Sequence, residues 1–302
     1  MKKILIIGGT GFFGYHLCKN FLKLRFKVFS LSKFKPKKIR KLSSVVYLFG
    51  DISKINSISF LKKKKFDYVI NCGGYVDHIN KDKNKKNHLD GCKNLYSIFK
   101  KNKLKTFIQI GSSLEYGNVS SPQKETSRAI PSDVYGKAKF KASNFLISKK
   151  NKNDFPFVIL RFYQIYGPYQ DSNRFLTFII NSCLKNKIFP CSEGKQFRDF
   201  LYVDDAVIAV NKSLENKKAY GKVINIGYGK PLQIKKVINY IRSKIKRGEP
   251  QFGKIPLRAQ ESMKLYPDLF RSKKYLNWSP KISFKKGLVK TIKFYKRYSL
   301  VY

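Results

Sequence analysis

Acidic residues are scarce in this chain. Its 302 residues hold 18 Asp and Glu against 64 Lys and Arg, which gives a formal net charge of +46. The excess is mostly Lys, scattered over segments such as 62–65 and 81–86 rather than placed on a recognisable nucleic-acid-binding motif. Lys, Asn, Ile, Phe and Tyr all have A/T-rich codons, so genome composition is a sufficient cause. We therefore expect no dedicated nucleic-acid partner, although the charge will attract anionic substrates.

Paired cysteines, metal-ligand clusters and long apolar runs are also missing. The five Cys residues form no C-x-x-C pair and are odd in number, which predicts reduced thiols and a cytoplasmic location. No His, Cys and carboxylate cluster has metal-ligand spacing. The apolar run at 4–7 ends at Gly8, so it is typical of a buried strand rather than of a signal peptide or a membrane span. The sequence predicts a globular protein with no metal and no membrane partner.

Strand and helix patterns alternate along the chain. Short apolar runs that are typical of buried parallel strands are separated by longer amphipathic segments. The predicted strands are 3–7, 27–32, 45–49, 66–71, 106–110 and 157–162, and the predicted helices are 11–25, 82–103, 132–150, 175–184, 204–214 and 234–245. This alternation predicts an α/β protein with a doubly wound parallel sheet, the Rossmann type, whose ligand crevice lies at the carboxyl ends of the strands.

The pattern loosens after Gly167, where Pro, Gly and aromatic residues become more frequent and no clean linker appears. We predict a dinucleotide-binding domain over 1–166, to which 199–230 return. Residues 167–198 and 231–302 are predicted to form a smaller substrate-binding lobe that closes over the crevice.

A glycine-rich turn follows the first predicted strand. Gly8-Gly9-Thr10-Gly11-Phe12-Phe13-Gly14 fits the pattern G-x-x-G-x-x-G directly between a strand and a helix. Such a turn brings backbone N–H groups and a helix N-terminus to a dinucleotide pyrophosphate. An ordinary strand-to-helix turn would need only one of the three glycines. We predict a cofactor site formed by Gly8, Gly11, Phe12, Phe13 and Gly14.

A tyrosine and a lysine stand four residues apart in Tyr135-Gly136-Lys137-Ala138-Lys139. On a helix they share one face, a turn apart, where the ammonium is expected to lower the pKa of the phenol. Lys is so common here that the spacing proves little alone, but Ser112 follows a predicted strand that ends at the same crevice. We predict that Tyr135 transfers a proton, that Lys139 supports it, and that Ser112 orients the reacting oxygen.

Further motifs follow in order along nearly the whole chain. They are Gly50-Asp51-Ile52, Asn71-Cys72-Gly73-Gly74, Asn87-x3-Gly91-x2-Asn94-Leu95, Gly111-Ser112-Ser113-x2-Tyr116-Gly117, the segment 160–168 with Gln164 where Asn is usual, the segment 198–205, Asn225-Ile226-Gly227, and Asp268 with 276–280. In this set the chain resembles the extended short-chain dehydrogenase/reductases of the NAD-dependent epimerase/dehydratase family, which modify nucleotide sugars.

The resemblance implies a seven-stranded sheet and a homodimer in which helices 82–103 and 132–150 form a four-helix interface. It assigns the cofactor's adenine side to Asp51 and Ile52, and its strand-end turn to Gly73 and Gly74. Lys139 would also bond the nicotinamide ribose. Substrate contacts are implied for Ser113, Gln164, Arg174, Arg198 and Arg258, with the arginines clamping the diphosphate of a nucleotide-diphosphate sugar. The alternative for Arg198 is a structural ion pair with Asp204 or Asp205.

One departure from the family narrows the reaction. The 4,6-dehydratases resemble this segment but carry an Asp-Glu pair after the catalytic hydroxyl residue, where this chain has Ser113 and Leu114. Leu cannot move a proton, and Glu115 is expected to point to the opposite face of the strand. A dehydratase is therefore disfavoured.

A second departure concerns the cofactor. NAD-specific relatives place an acidic residue at the end of the second strand, where this chain reads Ser30-Leu31-Ser32-Lys33, and we expect no carboxylate nearby. Ser32 and Lys33 suit a 2′-phosphate, so the sequence favours NADP(H), with NAD(H) as the alternative.

The resemblance is greatest to reductases of nucleotide-linked 4-keto-6-deoxysugars, which serve surface polysaccharide (O-antigen) synthesis. A 4-epimerase of the UDP-glucose type is the alternative among enzymes. A non-catalytic, NADP-sensing or RNA-binding relative is the alternative from another class, and the intact Ser112, Tyr135 and Lys139 argue against it. The sugar and base would be selected by a pocket built from about 75–80, 164–173 and 187–196.

Overall fold

The computed structural model describes residues 1–74, 80–150, 155–257 and 261–299. Their strands are β1 (Lys3–Ile7), β2 (Lys27–Ser32), β3 (Val46–Phe49), β4 (Tyr68–Asn71), β5 (Thr106–Ser112), β6 (Phe157–Phe162), β7 (Gln164–Tyr166), β8 (Ile188–Pro190), β9 (Phe197–Arg198), β10 (Phe200–Tyr202), β11 (Val223–Ile226), β12 (Leu232–Gln233), β13 (Glu249–Gln251) and β14 (Lys264–Leu265). Their α-helices are α1 (Phe12–Lys23), α2 (Lys81–Asn84), α3 (Gly91–Phe99), α4 (Val134–Ile147), α5 (Phe175–Leu184), α6 (Val203–Leu214), α7 (Ile234–Ile245), α8 (Phe270–Leu276) and α9 (Phe284–Ser299).

Seven of these strands form one parallel sheet in the order β11-β6-β5-β4-β1-β2-β3. The order reverses on either side of β1 and β4, so the sheet is doubly wound, as the sequence predicts. The central strands are buried along their length because helices cover both faces, which is why they read as continuous apolar runs. The carboxyl ends of β1, β4 and β5 therefore meet at one edge of the sheet.

Three hydrophobic cores stabilise the molecule. Two lie on the opposite faces of the sheet, one under α1 and α6 and the other under α3 and α4. The third packs α5, α7 and α9 around Tyr166 and Phe200, beyond the carboxyl end of the sheet. This third core supports the wall that faces the crevice, while the exact boundaries of the two predicted domains stay a prediction.

The structure differs from the prediction in the segment 82–103, for which one long helix is predicted. The observed segment consists of α2, a π-helical turn (Lys85–Asp90) and α3, and its last helical residue is Phe99. The early end has a local cause: the chain must turn back into β5, and the N–H of Asn102 bonds the carbonyl of Phe99 in that turn. The π turn is where a helix departs from regular spacing, often near a functional site. It brings His88 to the crevice.

The glycine turn is built on close backbone contacts. Gly8 has a φ of +78°, a conformation that favours glycine. A Cβ on Gly14 would lie 2.2 Å from the carbonyl oxygen of Gly8, whereas a Cβ on Gly11 would lie 3.3 Å from the same atom. Gly14 therefore lets α1 pack directly against the turn, and Gly11 is less crowded.

This difference predicts distinct effects of two alanine substitutions. Gly14→Ala forces backbone against backbone and should lower the free energy of unfolding by about 1–3 kcal/mol, as overpacking does. Gly11→Ala should leave the thermal midpoint close to wild type, because its Cβ needs a shift of only a few tenths of an ångström. Thermal unfolding followed by circular dichroism checks both, and equal midpoints for the two variants would contradict the contact argument.

Candidate active site

A large cavity opens at the carboxyl edge of the sheet, with a volume of about 1280 Å³. It is large enough for two ligands side by side, since single-ligand pockets are typically about 300–1,000 Å³. The predicted residues that line it are Gly8, Gly11, Phe12, Phe13, Gly14, Gly73, Gly74, Ser112, Ser113, Tyr135, Lys139, Gln164, Arg174 and Arg198. The fold thus joins the glycine turn to the predicted proton-transfer residues.

Ser112 and Tyr135 are brought together by the ends of two elements. Ser112 is the last residue of β5, and Tyr135 lies in the first turn of α4. The Asp133 side chain caps that helix by accepting the N–H groups of Tyr135 and Gly136 at 2.9 Å each. Both residues line the cavity, and the Ser112 hydroxyl acts to lower the pKa of the Tyr135 phenol. Two side chains that carry hydroxyl groups therefore face the same cavity.

Lys139 lies one helical turn beyond Tyr135 and is held in place. Its ammonium donates a hydrogen bond of 2.8 Å to the carbonyl of Ile110 and lies 5.9 Å from the centre of the Tyr135 ring. Burial lowers the pKa of Lys139, and the nearby Glu115 carboxylate opposes that shift. The lysine is thus a fixed, buried donor at the cavity wall.

The pKa of the Tyr135 phenol is raised in this structure, although Lys139 is expected to lower it. Burial raises the pKa of the Tyr135 phenol, and the Glu115 carboxylate raises it further. The hydrogen bond with Ser112 and the charge of Arg174 lower it by less. The sequence prediction of a lowered pKa is therefore wrong for the protein without ligands, because burial outweighs the favourable contacts. The phenol stays protonated near neutral pH.

Glu115 has a different position from the one predicted. It ends a 3₁₀ turn (Ser113–Glu115) after β5 rather than continuing the strand, and it is completely buried. Its carboxylate accepts the N–H of Ser112 at 2.8 Å and the Ser143 hydroxyl at 2.7 Å, and it pairs with Arg161 at 2.9 Å. Glu115 therefore holds Ser112 in place from behind and is not available to the cavity as an acid or a base.

At the adenine end of the predicted cofactor site, Asp51 pairs with Lys33, a contact that the sequence interpretation did not anticipate. Lys33 Nζ lies 3.1 Å from Asp51 Oδ2, although the two residues stand on different strand ends. Burial pushes the pKa of Asp51 up, but hydrogen bonds from Ser53 and Lys33 outweigh it and leave the pKa lowered. Ser32 Oγ accepts the Thr10 N–H at 3.3 Å. The statement that no carboxylate is near Lys33 is wrong in three dimensions, because β2 and β3 are parallel neighbours.

Ile52 follows Asp51 and is buried in the core beside α3. The carbonyl of Ile52 accepts a 2.8 Å hydrogen bond from the Asn94 side chain, which ties the strand-end segment to α3. Ile52 therefore acts through packing, and neither it nor Asp51 lines the main cavity.

The predicted substrate residues fall into two groups. Ser113 is buried beside Ser112, and Gln164 and Arg174 are exposed at the cavity wall. Arg198 is buried, donates 2.7 Å to the carbonyl of Phe197 and pairs with Glu261, not with Asp204 or Asp205. The ion-pair alternative for Arg198 thus names the wrong partners. Arg258 and the pocket segment 75–79 lie outside the described residues.

Three residues that line the cavity, Asp133, Glu261 and His88, were not predicted from the sequence. Asp133 had a readable signal, since it stands just before the predicted helix in an N-cap position. Glu261 and His88 had none, because their partners are distant in sequence. Among the described residues no group of His, Cys, Asp and Glu could hold a metal ion. In that same part of the chain no helix has the length and hydrophobicity of a membrane span.

Sequence comparison identifies the family to which this chain belongs. A family model described as the NAD dependent epimerase/dehydratase family matches residues 4–227. The chain therefore belongs to that family, whose members include sugar-nucleotide epimerases, dehydratases and reductases of the extended short-chain dehydrogenase/reductase type. The chain is a member of a family of enzymes that modify nucleotide sugars.

Particular relatives match either nearly the whole chain or about half of it. An uncharacterised UDP-glucose epimerase of Bacillus subtilis is 24% identical over 97% of both chains. CDP-abequose synthase of Salmonella typhimurium is 32% identical over 150 residues, which are 47% of this chain and 50% of that protein. Among solved structures, UDP-glucuronic acid 4-epimerase of Bacillus cereus, in complex with UDP-glucuronic acid and NAD, is 28% identical, with a TM-score of 0.86 over 98% of this chain and 99% of that one.

Proposed function

We propose that this chain reduces a nucleotide-linked 4-keto-6-deoxysugar with a nicotinamide cofactor, for surface polysaccharide synthesis. The observation that carries the proposal is the convergence of Ser112, Tyr135 and Lys139 in the cavity that the glycine turn also lines. Membership of a family that modifies nucleotide sugars supports the substrate class. The 32% identity with CDP-abequose synthase over 47% of the chain supports the reductase assignment.

The residues present fit a dinucleotide cofactor. The turn from Gly8 to Gly14 leaves no room for further side-chain atoms at Gly14, so the N-terminus of α1 lies open against a bare backbone. Such a terminus binds a pyrophosphate through its N–H groups. Gly73 and Gly74 extend this backbone surface along the cavity. When bound, the nicotinamide cofactor supplies the hydride that reduces the ketone.

The chain's own residues supply the proton and orient the substrate. The protonated Tyr135 phenol donates its proton to the keto oxygen as that oxygen becomes an alcohol. Ser112 donates a second hydrogen bond and fixes the oxygen next to the phenol. A phenol that burial keeps protonated is the form that can donate this proton. Ser113 and Leu114, which stand where a dehydratase has an acid-base pair, leave elimination of water without its proton-transfer groups.

A 4-epimerase is the second candidate. The observation that favours it is the full-length similarity to epimerases, which reaches 28% identity for the Bacillus cereus enzyme that binds NAD. An epimerase oxidises and then reduces the same carbon and recycles its cofactor, whereas a reductase consumes it. The absorbance of the purified protein distinguishes the two, because retained oxidised cofactor is expected for the epimerase alone.

We further propose a homodimer that forms through α3 and α4, by analogy with the family. The exposed surface of these helices carries Lys93, Lys137 and Lys141, so two copies would bring like charges together. Repulsion between exposed charges is screened by salt. Light scattering at micromolar concentration should therefore show a dimer that strengthens as salt is added, and a monomer under all salt conditions would contradict the proposal.

Turnover by the tyrosine variant tests the proposed function. We would assay CDP-, GDP-, dTDP- and UDP-linked 4-keto-6-deoxysugars with NADPH and with NADH, and follow loss of the reduced cofactor. Tyr135→Phe keeps the ring and should lower turnover by about 10²–10⁴-fold, the usual contribution of general acid catalysis. Cofactor affinity should change little. Lys139→Ala should weaken both turnover and cofactor binding.

Two controls make the result decisive. Tyr96→Phe also removes one buried hydroxyl, but Tyr96 does not line the cavity, so its turnover should stay near wild type. Because the pKa of Tyr135 is raised, wild-type reduction should fall only on the alkaline side, and this limb should vanish in Tyr135→Phe. Near-normal turnover in Tyr135→Phe with cofactor bound would refute the assignment.

Cofactor preference is tested at Asp51. Ser32 and Lys33 favour NADP(H), but the Asp51 carboxylate neutralises the lysine and would repel a 2′-phosphate. Asp51→Asn frees the lysine and should shift the ratio of NADPH to NADH affinity toward NADPH by about tenfold. Glu193→Gln, which removes an exposed carboxylate paired with Lys195 elsewhere, is the charge-matched control. An unchanged ratio in Asp51→Asn would show that this ion pair does not select the cofactor.

A further inference from the structure

His88 is a buried histidine at the centre of the site that the proposed chemistry does not use. Its exposed fraction is 3%, and it lines the cavity from the π turn between α2 and α3. Its neighbours on the cavity wall show which role the geometry supports.

The first neighbour is the glycine turn after β4. A Cβ on Gly74 would lie 2.1 Å from His88 Cε1 and 2.5 Å from His88 Nδ1. The imidazole therefore occupies the space that any side chain at position 74 would need. The backbone of Gly74, with a φ of +131°, rests against the ring on one side and faces the cavity on the other. Glycine at 74 and histidine at 88 form a matched pair.

The second neighbour is the proton donor. The ring centres of His88 and Tyr135 lie 5.1 Å apart, and their planes meet at 85°. This edge-to-face arrangement is an attractive one for aromatic rings. Asp133 fixes the backbone of Tyr135, and His88 supplies a separate contact on the ring itself. The backbone and the ring of Tyr135 are thus each held by a different residue.

We propose that His88 is a positioning residue, whose ring holds the Tyr135 phenol and the Gly74 turn in register with each other. The inference rests on the proposed function, because it gives Tyr135 the proton-donor role. Its physical basis is that a donor must lie within hydrogen-bond distance of the substrate oxygen while the cofactor lies against the turn. A displacement of about 1 Å in such a site can cost about 10²-fold in rate. One ring that contacts both walls fixes their separation.

Two variants separate the ring from its polarity. His88→Phe keeps a flat ring and removes the nitrogens, whereas His88→Asn keeps polar atoms and removes the ring. We expect turnover to fall by about 10²-fold in His88→Asn, with the KM for the nucleotide sugar nearly unchanged, and most of it to return in His88→Phe. Leu89→Ala is the matched control, because Leu89 is the next residue, is buried, and does not line the cavity. It should lower the thermal midpoint without lowering turnover.

Cofactor affinity gives a readout that needs no turnover. Titration with NADH and with NADPH, followed by fluorescence, should show binding weakened about tenfold in His88→Asn and near wild type in His88→Phe, because the Gly74 turn loses its support only in the former. If the wild type turns over no nucleotide sugar, the proposed function fails and this titration alone decides the role of His88. Equal losses in His88→Asn and Leu89→Ala, or a His88→Phe variant as impaired as His88→Asn, would overturn the proposal.

Discussion

Glu115 and Arg161 form an ion pair in the interior of the protein, and both side chains are almost completely removed from solvent. A buried pair is costly to desolvate and is stable only where further hydrogen bonds complete it. Here the carboxylate also accepts the N–H of Ser112 and the hydroxyl of Ser143, which joins β5, β6 and α4 at one point. Loss of either partner would leave an unpaired charge, a change that typically costs about 3–5 kcal/mol. The placement of Ser112 depends on this pair.

The same carboxylate sets the electrostatics of the cavity wall. It opposes ionisation of the Tyr135 phenol and so adds to the rise in the phenol's pKa. It also favours the charged form of Lys139 and so offsets part of the fall in the lysine's pKa that burial causes. A protonated phenol beside a buried ammonium is the arrangement that donating a proton to a keto oxygen requires. His88 adds to this set by packing against the phenol ring. One buried acid outside the cavity lining thus helps to keep the Tyr135 phenol protonated.

The elements that local pattern determines could be predicted from the sequence, and long-range pairings could not. Strands β1, β2 and β6 and helices α5 and α7 have their predicted bounds, because unbroken apolar runs or a strict helical period define them. The glycine turn and the Tyr135 helix carry local sequence motifs, and the residues predicted from these motifs line the cavity. In contrast, Glu115 with Arg161, Lys33 with Asp51, and Arg198 with Glu261 are joined only by the sheet and its loops. Nothing in the spacing of such pairs reveals them, and scarce acids among many cations give each carboxylate several possible partners.

The central claim is that this cavity transfers a hydride to C4 of a nucleotide-linked sugar while Tyr135 delivers the proton. The most direct test is a label transfer. The protein would be incubated with reduced cofactor that carries deuterium at both C4 positions of the nicotinamide and with each nucleotide-linked 4-keto-6-deoxysugar, and the product sugar would be examined by mass spectrometry and NMR. The account predicts one deuterium at C4 of the sugar for each cofactor oxidised, and none in Tyr135→Phe over the same time. Cofactor oxidation without label in the sugar, or no transfer to any sugar of the panel, would contradict it.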